Sequence, residues 1–557
     1  MVSRSHKNKS KSKPSSHSQN KNKNKHKNIN KNPHKSKKSK TKTKLHESTP
    51  KSKSLFFREQ VDQQSLDHQK FVIKHMMTHR GLIVAHGMGS GKTRISILLV
   101  ALLKIPSIVV VPASLKENYM KEIQKVRTMV KNFDESLYTI VSSSSFINFV
   151  PDSTNKILIV DEAHELRNDQ GKISQAVLDC ALKASKVLLM TGTPIVNRPS
   201  DMAPLLNMIV KDRIDIKISN GFLWGGTKIF KEIPNGESFN KIFGEDGLNT
   251  TGQELWKQLF PCVLSYFTPP KSNDFPNVVE KIVMVPMSEP QLKVYNAWEN
   301  RNLTVDMIKM LSKPSYDVGG VGGGVGGGVG GGVGDAITKL PQFRAYLDGG
   351  RRICNIVTID GKIYAPKFDA MIKNLLYHSN GQSIIFSQYL AKGIDVAEHV
   401  LQQHNISFVK FTGQETPLQK KEAVRKYNAG EAKVFLISSA GGLGLDLKNT
   451  ESMHIMEPAW NLAKIAQVVG RAVRYKSHDI PGSTVIIYKY YCYKPKSYFN
   501  FPLQQSRKKK ENLSMSADIY LKQISEKKDK VNQKFLQYVN QWSIENAPLG
   551  SCTEEQL

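Results

Sequence analysis

Short apolar, β-branched runs recur along this chain in two series, each run closed by a turn and followed by a longer helical stretch. The first series is Gly81–Ala85, Ser107–Pro112, Lys156–Asp161 and Lys186–Thr191. The second is Ser383–Ser387, Phe408–Thr412, Val434–Ser439, Ser452–Met456 and Thr484–Tyr490. Runs that are apolar throughout, rather than alternating, suit strands covered on both faces. A helix after each strand is the connection that parallel pairing requires. The pattern predicts an α/β protein with two tandem lobes, each a parallel sheet covered by helices. With 557 residues and 39% hydrophobic content, the chain can bury two such cores.

Composition marks the boundaries. Residues 1–53 hold 17 Lys and Arg4 against the single acid Glu47, which is more than half of the formal net charge of +32. This stretch has almost nothing apolar to bury and reads as a disordered basic tail. The first lobe spans 54–212, and the less regular 213–312, with Trp224 and Trp256, reads as its extension. A Gly-rich linker covers 313–340 and holds the Val-Gly repeat Val318–Gly334. The second lobe spans 341–500, and 501–557 reads as a helical C-terminal extension. The positive balance favours a polyanionic partner through counterion release, although basic tails also serve solubility alone. No apolar run is long enough to cross a bilayer, so no membrane partner is expected. The cysteines Cys180, Cys262, Cys354, Cys492 and Cys552 lie far apart without paired spacing. That spacing argues against a disulfide framework or a zinc site and fits a reducing, intracellular compartment.

Chemistry-bearing residues stand at the ends of the apolar runs. Gly87-Met88-Gly89-Ser90-Gly91-Lys92-Thr93 follows Gly81–Ala85 and opens a helix over Arg94–Leu103. Glycines there let backbone N–H groups wrap phosphate oxygens, and the helix N-terminus adds its positive end. Lys92 suits the β- and γ-phosphates of ATP, and the Thr93 hydroxyl suits Mg²⁺. The phosphate-loop pattern wants a first Gly where His86 stands. Asp161-Glu162-Ala163-His164 ends the run Ile157–Val160: Asp161 suits the metal, and Glu162 suits the activation of a water. Thr191-Gly192-Thr193-Pro194 ends a further run, where Thr191, Thr193 and His164 are candidates for coupling hydrolysis to movement; a simple Pro-terminated turn would look similar. In the second lobe, Gly444 and Asp446, two further coupling candidates, lie in a glycine loop after Val434–Ser439, explained by close backbone approach or by plain flexibility. Gln467-Val468-Val469-Gly470-Arg471-Ala472-Val473-Arg474 reads as a helix with Arg471 and Arg474 on one face. They are arginine-finger candidates, with Gln467 toward the nucleotide; a surface Arg pair would look the same.

Assembled, these residues resemble superfamily 2 helicases, and within them the Swi/Snf-like branch, over roughly residues 55–500. Leu66-Asp67-His68-Gln69 looks like that family's adenine-reading element, with Gln69 as the reader. Val109–Leu115 with Asn118-Tyr119, Glu165–Asn168, Ile195–Asn197, Ile384–Tyr389 and Phe411–Gly413 match further family motifs in order. The resemblance implies two tandem RecA-like P-loop lobes, ATP and Mg²⁺ as cofactors, and nucleic acid as partner, DNA ahead of RNA. Tyr475–His478 with Pro481, and later Ser516–Tyr520, are similar to large DNA virus enzymes, the poxvirus nucleoside triphosphatase I and early transcription factor type. That narrower resemblance implies work beside a viral RNA polymerase, in the virion and host cytoplasm; a nuclear place is the non-viral alternative. An RNA helicase, and a promoter-binding factor switched by ATP, are the competing readings.

Overall fold

The computed structural model describes residues 61–219, 227–269, 274–304, 307, 341–378, 381–439, 445–495 and 515–552. The basic tail 1–53, the Val-Gly repeat and Gly444 lie outside them. All the described residues fall in one unit, Ser54–Leu557.

The first lobe is built on β1 (Gly81–His86), β2 (Ser107–Val111), β3 (Tyr138–Ser142), β4 (Ile157–Val160) and β5 (Lys186–Thr191). A small antiparallel hairpin, β6 (Ile216–Ser219) with β7 (Thr227–Phe230), comes next, and β8 (Leu264–Phe267) completes the main sheet. Its order is β3-β2-β4-β5-β1-β8, and every pairing is parallel. Side chains alternate across the strands, so one strand supplies two cores. Ile83, Leu158 and Leu189 pack on one face beneath the helices Lys172–Lys183 and Ala203–Val210. Leu82, Val84, Val109 and Ile159 pack on the other, under Asp67–Thr78, Lys92–Leu103 and Lys116–Met129.

The second lobe repeats the scheme. Its strands are β9 (Asn277–Pro286), β12 (Gln382–Ser387), β13 (Phe408–Phe411), β14 (Val434–Ser438), β15 (Thr450–Ile455) and β16 (Thr484–Tyr493). They form a parallel sheet in the order β13-β14-β12-β15-β16-β9, beside a short hairpin of β10 (Val357–Ile359) and β11 (Lys362–Tyr364).

Two expectations need correction. The stretch 213–312 does not extend the first lobe as a whole. Its β8 completes the first sheet, but β9 pairs with β16 along ten residues and is the edge of the second sheet. Composition gave no sign of this, because β9 leaves most of its side chains exposed. The cysteine reading also fails: Cys262 and Cys552, 290 residues apart, form a disulfide with Cα atoms 5.3 Å apart. Tertiary folding brings them together, and no linear spacing records that.

The C-terminal chain joins the lobes. The helix Ala517–Gln541 begins in the second lobe, where the Asp518 carboxylate meets Lys367 Nζ at 2.8 Å with both side chains fully buried. Lys367 also donates to Met456 O, and Asp518 accepts from Cys492 N. The same helix ends in the first lobe, where Phe535 and Val539 enter the core with Trp256 and Phe260. Removing one member of a buried ion pair strands the other's charge, which costs about 3–5 kcal/mol. Lys367→Met is expected to lose about that much in chemical denaturation, with much of it regained when Asp518→Leu is added. A loss under about 1 kcal/mol, typical of an exposed pair, would contradict the assignment.

Candidate active site

Three strand ends of the first lobe open onto one cleft. The β1 end delivers the glycine loop, which turns through left-handed backbone at Gly89 (φ 76°) and Gly91 (φ 79°) before the helix Lys92–Leu103. A Cβ at Gly91 would lie 2.5 Å from Gln69 Nε2, so only glycine allows that approach. Gln69 is buried: its Nε2 donates to Ser90 O at 3.1 Å, and its Oε1 accepts from Leu66 N at 3.0 Å. The expected adenine reader therefore grips the loop itself here. Lys92 Nζ donates to His86 O (2.9 Å) and Gly87 O (3.2 Å). Thr93 is the second residue of its helix, and Met88 forms the loop's tip.

The β4 end presents Asp161 and Glu162. Asp161 accepts from Glu162 N at 3.0 Å, and Glu162 is held at φ 52°, a strained conformation for a residue with a side chain. Burial, and then the Glu162 charge, push Asp161 up to about 6. Burial also opposes the Glu162 charge, but its bond to His164 and the charges of Lys92 and Arg471 hold its pKa below the ordinary value. Burial pulls Lys92 below the usual lysine range, with Glu162 and Asp161 opposing.

His164 links three elements. Gln467 Nε2, from the second lobe, donates to His164 Nε2 at 3.0 Å. That ring nitrogen is then the acceptor, so Nδ1 carries the proton. Nδ1 faces Thr191 Oγ1 at 3.1 Å and Glu162 Oε2 at 3.3 Å, and Thr191 Oγ1 also accepts from Thr193 N at 3.0 Å. One hydrogen-bonded chain thus runs from the second lobe to Glu162 and to the end of β5.

The arginines arrive from the same side. The helix Leu462–Val469 ends at Gly470, so Arg471 and Arg474 stand on the turn beyond it rather than on a helix. Gly470 itself keeps right-handed backbone (φ −63°), and the two side chains still share the cleft. Arg471 is buried with Nε unpartnered among the described residues. Burial, then Arg474, lower it to about 10, with Glu162 opposing. Arg474 Nε donates to Gly470 O at 2.6 Å; burial lowers its pKa, while Asp446 and Glu162 oppose. A Cβ at Gly470 would lie 2.1 Å from Met88 Sδ, so the lobes touch where loop and arginine turn meet.

The donor set fits a nucleotide with its cation. Ser90 Oγ and Thr193 Oγ1 are buried without a partner among the described residues, beside one lysine, two arginines and two adjoining carboxylates. Thr93 and Asp161 would hold Mg²⁺, and the loop with Lys92 would hold phosphates. A bound cation would supply charge stabilisation at the transferred phosphate and relieve the buried acids. Sequence reading missed Ser265 and Glu545, which reach His86 from far along the chain, and the stacking of His68 on Phe267 at 3.9 Å.

Fold and cleft define an ATP hydrolase of the helicase type. The SNF2-related domain matches residues 127–317, and the helicase conserved C-terminal domain matches 366–476. A protein of Acanthamoeba polyphaga mimivirus, named as an inferred ATP-dependent RNA helicase, is 29% identical over 494 residues, which are 86% of this chain and 97% of that one. The transcription regulatory protein SNF2 of Saccharomyces cerevisiae is 23% identical over 482 residues, covering 77% of this chain and 26% of its own length. The solved SWI2/SNF2 ATPase core of Sulfolobus solfataricus in complex with dsDNA is 18% identical, covers 76% of this chain and 87% of that one, and has a TM-score of 0.31. The two domain matches and the sequence relatives support the Swi/Snf-like branch of superfamily 2.

Lys92→Ala is expected to abolish turnover. Glu162→Gln is expected to keep ATP binding and slow hydrolysis by about a hundredfold or more, as for loss of a general base. Normal turnover in Glu162→Gln would remove that residue from the mechanism. Arg474→Ala is expected to spare ATP affinity and cut kcat about a thousandfold, the scale of an arginine finger; steady-state kinetics with equilibrium ATP binding separates the two effects.

Proposed function

We propose that this chain is a DNA-dependent ATPase that translocates along duplex DNA without separating its strands, working beside the RNA polymerase of a large DNA virus. The observation that carries the motor reading is the bond from Gln467 to His164, with Arg471 and Arg474 facing Glu162. Groups that promote hydrolysis then come from both lobes, so the lobes must close for chemistry and part after it. Lys92 binds the phosphates, Glu162 orients the attacking water, and Arg471 and Arg474 neutralise developing charge. His164, Thr191 and Thr193 carry the change toward the nucleic-acid track.

DNA is supported by the SNF2-related match and the formal charge of +32. A role in transcription is supported by the name of the yeast relative and by the likeness of Tyr475–His478 and Ser516–Tyr520 to the viral enzymes. Under this reading the protein works in the host cytoplasm and is packaged in the virion. The name of the mimivirus relative favours a second reading, an RNA helicase.

The test is ATP turnover without polymer and with duplex DNA, single-stranded DNA or RNA, using the Glu162→Gln protein as control. Stimulation by duplex DNA that the control lacks is the expected result. Stimulation by RNA alone would replace this reading with the second, and indifference to every polymer would remove both.

A further inference from the structure

After the helix Ala517–Gln541 the chain turns back and hooks onto β8, the edge strand beside β1. Ile544 N donates to Leu264 O at 2.9 Å, and the Glu545 carboxylate accepts from Tyr266 N at 3.0 Å. The other carboxylate oxygen accepts the Ser265 hydroxyl. Ser265 Oγ lies 2.6 Å from His86 Nε2, and both side chains are fully buried.

Donor arithmetic fixes the direction of this chain. An ionised carboxylate only accepts, so the single Ser265 proton goes to Glu545. The hydroxyl oxygen must then receive a proton from His86, which makes Nε2–H the tautomer that fits this chain, with Nδ1 left buried and unpartnered among the described residues. Burial, with the nearby His68 and Lys92, lowers His86 to about 3, so the ring is neutral at working pH. Without Glu545 the hydroxyl could turn its proton toward His86, and the ring would lose its fixed orientation.

His86 is the last residue of β1, standing where the phosphate-loop pattern wants its first glycine. Its carbonyl is one of the two that hold Lys92 Nζ. Gly87 N donates to Phe267 O at 2.8 Å, and a Cβ at Gly87 would lie 2.7 Å from Pro269 Cδ. The loop's first residues are therefore shaped by β8 and by Pro269 just beyond it, and β8 is gripped by the C-terminal hook.

We propose that Glu545 is a positioning residue of the ATP site, acting through Ser265 and His86 on the start of the phosphate-binding loop. It touches no nucleotide. It sets the loop and the anchor of Lys92, and so affects how well ATP is held more than how fast it is cleaved. The proposal rests on the ATP-hydrolase reading, which wild-type turnover in the same assay checks separately.

The hook keeps further attachments, the Cys262–Cys552 disulfide and the Ile544 N bond to Leu264 O, so Glu545→Gln leaves the segment attached while removing one of the two acceptors that meet Ser265 and Tyr266 N. The experiment is the ATP dependence of turnover, with melting temperatures, for Glu545→Gln, Ser265→Ala and the double variant. In each single variant KM for ATP is expected to rise about tenfold, the scale of one lost hydrogen bond to a charged group, with kcat within about twofold of wild type. The double variant is expected to match the singles, because the residues act in one chain. KM at the wild-type value with only a lower melting temperature would overturn the proposal, leaving the hook as a cover for the sheet edge. A fall in kcat at constant KM, or additive effects in the double variant, would overturn it as well. Should Ser265→Ala fail to fold, Glu545→Gln, nearly isosteric and partly exposed, decides alone.

Discussion

Parallel pairing sends the carboxyl ends of all strands in a sheet to one side, and the rest of this molecule depends on that. The loops leaving β1, β4 and β5 must then gather on one rim, although they are separated by many residues of chain. Phosphate binding needs several donors around one small ion, more than one local turn can present. A parallel sheet solves this without any contact between the donors in sequence. A second sheet of the same kind brings Gln467, Arg471 and Arg474 to face the first rim. The cleft is a place where two sets of loops meet.

Electrostatics explains why the meeting place is both functional and unstable in isolation. Asp161 and Glu162 adjoin each other in a buried setting, as do Arg471 and Arg474 opposite them. Each pair of like charges disfavours its own ionisation; Lys92 relieves the acids, Arg471 relieves Glu162, and Glu162 in turn relieves the arginines. Lobe closure therefore brings compensating charge together, and separation exposes both sets to water. The strained backbone at Glu162 goes with a carboxylate that meets His164 Nδ1.

Much of this was legible in the residues. Buried parallel strands are apolar on both faces, so β1, β2, β4, β5, β12 and β14 announce themselves as continuous runs, and the motif residues stand at their ends. The strands that escaped notice are those at or near the edges. β3 carries a half-exposed, polar pattern, β8 is four residues long, and β9 exposes most of its side chains. Edge position removes one neighbour, and with it the uniform burial that makes a strand recognisable. The contacts that escaped are long-range: Glu545 with Ser265, Cys552 with Cys262, and Asp518 with Lys367. No local pattern encodes a partner hundreds of residues away. The end of the helix at Val469 was not readable, since Gly470 keeps right-handed backbone and the arginine spacing suggested that the helix ran on.

The helix Ala517–Gln541 has 25 residues, hence a length of about 37 Å. Both of its ends are sunk in different cores, one through Asp518 and the other through Phe535 and Val539. An α-helix resists stretching far more than it resists pivoting at its seats, so it acts as a connecting rod of fixed span. The lobes cannot simply draw apart along that line. Relative motion of the lobes must keep that span, so it is confined to tilting about the two seats.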